Sequence, residues 1–180
     1  MINRIYWDID ETLIHTCLRP PNQDHIVLEL DDSSVYYTIL RPCAKRLIEF
    51  SRELVGEDRV HILTTSTRDY ARKVNLLADW GFKNEYIFPR EDLANHRRSF
   101  PTAYGGYHSE VDAHIYAHKD NVLIDNLPRR ENQVKIGFIG IGKTEDANYL
   151  KIDDYYGVEY SDSTFEEDVK NFLTNKYNEN

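Results

Sequence analysis

The sequence predicts an α/β fold of three layers, α/β/α, on a parallel sheet, with a small β-hairpin insert after the first strand. Three observations predict it. Short apolar runs of strand length recur along the chain. Amphipathic, helix-length stretches lie between them, so that strand and helix alternate. One early stretch instead alternates apolar and polar residues around a turn-forming centre. The 180 residues read as a single domain, 1–180, long enough to bury a core.

The strand-like runs are "RIYWDI" (4–9), "RVHILTT" (59–65), "NVLID" (121–125) and "VKIGFIGI" (134–141). Short runs of this kind suit strands buried on both faces of a parallel sheet. Between the first two, "RPCAKRLIEFSRELVG" opens on Pro42 near a first helical position. It sets Leu47, Ile48, Leu54 and Val55 on one stripe and stops at Gly56. "STRDYARKVNLLADWG" follows a Ser/Thr cap and is expected to bury Tyr70, Val74, Leu77 and Trp80 before Gly81. "SEVDAHIYAH" (109–118) reads as a third helix. "SDSTFEEDVKNFLTNKY" reads as a fourth, with Phe165, Val169, Phe172 and Leu173 at helical spacing. The terminal "TNKYNEN" reads as a frayed tail.

Two stretches break the rhythm. "HIVLELDDSSVYYTIL" alternates around a polar "DDSS" and is the predicted hairpin insert, 24–41. Residues 88–110 carry prolines and glycines and read as a long loop or lid, with a disordered excursion as the plainer alternative.

Net charge is −9 and the pI is about 5.2, which excludes a broad basic face for nucleic acid or anionic membrane. No apolar run approaches the roughly 20 residues of a membrane span. The two cysteines, Cys17 and Cys43, have neither metal-site nor redox-motif spacing. With no secretory leader visible, the reading is a reducing, cytoplasmic setting.

The chemistry gathers at strand ends. Open parallel sheets bind ligands beyond the carboxyl ends of their strands. Asp8 ends the first run, with Asp10 two residues on. Thr64, Thr65 and Ser66 end the second, and Asp125 and Asn126 the third. Three nearby carboxylates repel unless a cation or protons intervene. Mg²⁺ takes one or two carboxylates together with waters and phosphate oxygens. The cluster therefore predicts a Mg²⁺ site, drawn from Asp8, Asp10, Asp125 and Asn126, that accepts a phosphate. Asp8 is the candidate nucleophile, able to form an aspartyl-phosphate. Asp10 is the candidate general acid and base. Thr64, with the N–H groups at the start of the following helix, is expected to hold phosphate oxygens, with Thr65 beside it. The plainer alternative is that these aspartates are solvated turn residues.

"DIDET" matches the DxDxT signature of the haloacid dehalogenase-like phosphatases, with "ILTTS" and "VLIDN" as further motifs. "DIDETLIH", "RPCAKRLIEF", "LTTSTRDYA" and "LIDNLP" resemble, more narrowly, the phosphatases that act on the C-terminal domain of RNA polymerase II. The resemblance spans roughly residues 4–130. It implies a Rossmann-like fold, Mg²⁺ and phosphomonoester hydrolysis. Asp10 matches the phosphatase rather than the ATPase branch.

The chain departs from that pattern in places. The family's third motif is a lysine or arginine before the last strand, and Lys119 precedes Asp125 by only six residues. At about 3.3 Å per residue, it belongs at the far end of that strand. Arg97 and Arg98, in the long loop, are the better candidates to meet the phosphate. Arg90, in "FPRED", resembles a substrate-contacting arginine; for all three, a solvated surface arginine is the plainer reading. "DNLP" replaces the family's "DNSP".

Other signals are set aside. "GFIGIGKT" (137–144) fits the P-loop pattern but lies within a strand-like run. His114 and His118 have no third metal ligand in view. His15 suits packing as well as catalysis. Tyr104 to Tyr107 form an aromatic, glycine-rich loop. The resemblance favours a phosphoprotein substrate, with a nucleotide, a nucleic-acid end or a small metabolite as alternatives. A non-catalytic phosphate-binding or scaffold protein is the alternative of another class.

Overall fold

The computed structural model describes residues 2–94, 99–101, 107–109, 121–126, 148–152, 155–157 and 162–179. The strands are β1 (Arg4–Trp7), β2 (Ile14–Cys17), β3 (Ile26–Glu29), β4 (Val35–Leu40), β5 (Val60–Leu63), β6 (Ile87–Phe88), β7 (Ser99–Pro101), β8 (Tyr107–Ser109), β9 (Asn121–Asp125) and β10 (Asn148–Lys151). The helices are α1 (Ala44–Val55), α2 (Arg68–Leu77), α3 (Arg90–Ala94) and α4 (Asp162–Asn178).

The main sheet is parallel throughout, in the order β10-β9-β1-β5-β6. Its register aligns Trp7 with both Ile62 and Ile124, so β1, β5 and β9 end at one level. Alternation sends Ile5, Trp7, Val60, Ile62, Val122 and Ile124 to one face. There they meet Leu47 and Ile48 of α1, Tyr70 and Val74 of α2, and Val169 and Leu173 of α4. Tyr6, Leu63 and Leu123 point to the other face, with Phe88 against them. Buried Trp7 has its indole N–H satisfied by Ser51 of α1 at 3.2 Å. Among the described residues no helix is long and apolar enough to cross a membrane.

The insert is larger than a hairpin. β3 and β4 pair antiparallel as expected, and β2 adds to the free edge of β4 to give the sheet β2-β4-β3. The short polar "IHTC" carries little strand pattern of its own. It is held because its backbone pairs with β4, Thr16 lying opposite Thr38. β10 is a second unpredicted strand, and it forms by pairing with the fully buried β9.

Further expectations are corrected. Leu77 closes α2 at 46% exposed, since the helix stops there and only Tyr70, Ala71 and Val74 turn inward. The supposed frayed tail is helical through Asn178, because Leu173 is fully buried and Tyr177, one turn on, packs on the same core. Residues 88–110 are not simply a loop, since they hold β6 residue Phe88, α3 and the β7–β8 hairpin. Ser109, expected to open a helix, closes β8. The rest of the predicted third helix, the run 134–141 and the P-loop-like segment lie outside the described residues, as do Lys119, His114, His118 and Tyr104.

Candidate active site

The strand order builds the site. From β1 the chain moves outward through β5 to β6 and then returns to the other side of β1 with β9. The boundary between β1 and β9 is thus the place where the winding reverses, and ligands of open α/β sheets bind there. Asp8 directly follows β1, its N–H bonded to the Ile124 carbonyl at 3.0 Å. Asp125 ends β9, and its carbonyl accepts from Ile152 at 3.0 Å. Two carboxylates distant in sequence are neighbours at one switch point.

A tight turn carries the chain on from Asp8. The Ile9 carbonyl accepts from the N–H groups of Thr12, Leu13 and Ile14, at 3.3, 2.9 and 3.2 Å. Glu11 takes a φ of 59°, a left-handed conformation unusual for a residue with a side chain. The turn returns buried Thr12 toward Asp8, where its hydroxyl bonds the carboxylate and lies 3.5 Å from Asn126 Oδ1. Burial, then Asp125, then Asp10 raise the Asp8 pKa well above the usual carboxylate range, against the opposing hydrogen bonds from Thr12 and the Ile9 N–H.

The same turn sends Asp10 the other way. Ser66 Oγ donates to Asp10 Oδ2 at 2.8 Å, and Tyr70 Oη donates to Oδ1 at 2.5 Å. Behind Tyr70, Thr16 Oγ1 lies 2.8 Å from its hydroxyl, and Thr38 Oγ1 lies 3.3 Å from Thr16. Ser66 and Tyr70 were not foreseen from the sequence as partners of Asp10. The available signal was a tyrosine on the inward stripe of α2, whose polar tip requires a buried acceptor.

Thr64 is buried beside this rim. Its N–H bonds the Phe88 carbonyl at 3.1 Å, and its hydroxyl accepts from the Ser66 N–H at 3.1 Å. Thr65 is exposed. Two N–H groups at the start of α2, where a phosphate cradle is expected, have side-chain partners. The Arg68 N–H donates to the Glu91 carboxylate at 2.9 Å, and the Tyr70 N–H donates to the Thr67 side chain at 3.4 Å. Arg90 is brought to the rim instead. Its Nε donates to the Thr65 carbonyl at 2.6 Å and its N–H to the Ser66 carbonyl at 2.9 Å. Arg97 and Arg98 lie outside the described residues. His15 turns from the site and bonds Glu11 at 2.8 Å.

The donor set fits a hard cation. Among the described residues, no group of three or more His, Cys, Asp and Glu side chains is arranged to hold a metal ion. Asp10 accepts from two hydroxyls, while Asp8 and Asp125 form the acidic pair, with Asn126 buried beside them. Two desolvated carboxylates that repel one another suit Mg²⁺, which needs only one or two.

A family model described as NLI interacting factor-like phosphatase matches residues 5–180. The chain belongs to that family. Its fold is also similar to two solved phosphatases. One is fission yeast RNA polymerase II CTD phosphatase Fcp1 bound to beryllium fluoride, at 18% identity and a TM-score of 0.55, over 97% of this chain and 50% of that one. The other is Fcp1, an essential RNA polymerase II CTD phosphatase, at 20% identity and a TM-score of 0.56, over 97% and 49%. The chain spans about half the length of either. Comparison with curated proteins finds no match.

Proposed function

We propose that this member of the NLI interacting factor-like phosphatases hydrolyses phosphomonoesters through Asp8. The observation that carries the reading is the division of labour at the β1 end. Asp8 is paired with Asp125 in a desolvated pocket, while Asp10, two residues on, is turned to hydroxyl donors. Asp8 attacks phosphorus, and the ester oxygen leaves with a proton from Asp10. Asp10 then takes a proton from the water that attacks the aspartyl-phosphate, which frees Asp8 and phosphate. Mg²⁺ held by Asp8 and Asp125, with Asn126 beside them, would neutralise the acidic pair and draw charge from the phosphoryl oxygens. Thr64 and Arg90 border the place where those oxygens would sit.

A phosphoprotein is the proposed substrate. Family membership supports it, as do the two fold neighbours, both described as phosphatases of a polymerase domain. Both cysteines are free thiols, which suits a reducing compartment such as the cytoplasm.

The test is hydrolysis of an aryl phosphate by wild type and Asp8→Asn, with Mg²⁺ and with EDTA. Turnover that requires Mg²⁺ and vanishes in the variant supports the reading. Near-wild-type turnover in Asp8→Asn overturns the nucleophile. No turnover by wild type on either an aryl phosphate or a phosphopeptide favours a phosphate-binding protein.

A further inference from the structure

We infer that Tyr70 is the positioning residue for the acid and base Asp10, and that a chain of hydroxyls ties this function to the β2-β4-β3 insert. The inference rests on the phosphatase reading above. Its basis is proton counting. A carboxylate only accepts hydrogen bonds, and a phenol has one proton to give. With Tyr70 Oη 2.5 Å from Asp10 Oδ1, that proton points at Asp10. Thr16 Oγ1, 2.8 Å from the same Tyr70 oxygen, must then be the donor to it. Thr16 has no second proton, so Thr38, 3.3 Å away, donates in turn. While Asp10 is ionised, the direction Thr38 to Thr16 to Tyr70 to Asp10 is fixed along the whole chain. Ser66 closes on the other carboxylate oxygen at 2.8 Å.

The chain is rigid at each joint. Thr16 and Thr38 are opposed residues of paired strands, and Thr38 is fully buried. Tyr70 is 7% exposed, and its ring meets Tyr36 of β4 edge-on, with centroids 6.0 Å apart. Tyr70 lies on α2 and its donor Thr16 on β2, so the insert and the helix after Thr64 jointly fix where Asp10 points. A proton transfer gains from such fixing because the acid must meet the leaving oxygen within hydrogen-bond reach.

The test uses two esters of unequal leaving group. p-Nitrophenolate departs without a proton, whereas an alkoxide needs one from Asp10. For each ester, kcat/KM is measured for wild type, Tyr70→Phe and Thr16→Val. Both replacements keep the packing shape and remove one hydroxyl. Tyr70→Phe is expected to lower kcat/KM for an alkyl phosphate by about tenfold to hundredfold, the scale of one hydrogen bond to a charged group. It should leave the value for p-nitrophenyl phosphate within about threefold, because that leaving group needs no acid. Thr16→Val is expected to shift the ratio of the two esters in the same direction and by less.

A purely structural role would lower both esters together, and that result overturns the inference. An unchanged ester ratio in a fully active Tyr70→Phe also overturns it, while leaving Asp8 and the phosphatase reading intact. Failure of wild type to cleave p-nitrophenyl phosphate or a phosphoserine peptide, taken as the alkyl ester, removes the phosphatase reading and this inference with it.

Discussion

Asp10→Asn separates the two halves of the proposed reaction. The side chain keeps its shape, but one accepting oxygen becomes a donating nitrogen. Both Asp10 oxygens are engaged, by Ser66 at 2.8 Å and Tyr70 at 2.5 Å. Tyr70 receives from Thr16 and cannot readily reverse, so the amide nitrogen should turn to Ser66, whose hydroxyl rotates to accept. Two charge-assisted bonds become neutral, at about 1 kcal/mol each. Relief of the repulsion between Asp10 and Asp8 offsets part of that. At roughly 2–4 °C per kcal/mol for a domain of this size, Tm should fall by no more than about 8 °C. The protein stays folded, and kinetics can be read. Loss of the acid and base should lower turnover by about 10²–10⁴-fold, or about 3–5 kcal/mol of barrier. The form of the loss is diagnostic. p-Nitrophenolate needs no acid, so Asp8 still takes up the phosphoryl group, and release by water stalls. Rapid mixing should show a burst of about one equivalent of nitrophenol and then slow turnover. A steady state within about threefold of wild type, with no burst, would refute the role of Asp10.

Asp125→Asn should weaken the Mg²⁺ dependence of activity by tenfold or more, on the order of an effect at a ligand or its supporting shell; an unaltered Mg²⁺ titration would count against it. Asp8 has a raised folded-state pKa, so in EDTA its contribution is absent below the unfolded pKa and becomes increasingly unfavourable as pH rises toward the folded value. Asp8→Asn should therefore gain Tm over wild type as pH rises above about 4 in EDTA, and a gap that does not change with pH would refute the cause. His61 is packed among Tyr6, Tyr86 and Phe88, and burial lowers its pKa to about 4. The unfolded chain then binds the extra proton first, so stability is lost as pH falls from about 6.5 toward 4; thermal melts of His61→Phe should lack that slope, worth on the order of 3 kcal/mol. Leu173→Ala, at a fully buried position of α4, should cost about 2–5 kcal/mol in urea unfolding, and a loss under 1 kcal/mol would mean that α4 does not hold the core.

The strand ends were legible because buried parallel strands carry an unmistakable pattern. Ile5 to Trp7, Val60 to Leu63 and Val122 to Ile124 are buried on both faces and apolar but for His61, so the polar residue that ends each run marks the rim. Asp8, Thr64 and Asp125 could be placed from that alone. β2 and β10 were not legible, since "IHTC" and "NYLK" owe their extended form to a partner strand's free edge rather than to periodicity. At the start of α2, Glu91 reaches the Arg68 N–H from 23 residues on, a contact that no local pattern shows. Tyr70 was read as buried, which it is. That its hydroxyl serves Asp10, 60 residues earlier, depends on a turn geometry in which Glu11 holds a positive φ.

The arrangement couples cation and phosphate in one direction. Asp8 and Asp125 leave the β1–β9 switch point negative, and the hydrogen bonds from Thr12 and Ile9 do not offset the burial of Asp8. A phosphate dianion brought there alone would meet two carboxylates, while the Arg68 and Tyr70 N–H groups of α2 are bonded to Glu91 and Thr67. Arg90, anchored on the Thr65 carbonyl, borders the rim but stands exposed, where its attraction is weakened by water. If the proposed reading holds, the cation would contribute much of the affinity for phosphate. Linkage makes the effect reciprocal, so a phosphate analogue should tighten Mg²⁺ by the same factor by which Mg²⁺ tightens the analogue. On the proposed reading, the metal would belong as much to substrate recognition as to the chemical step.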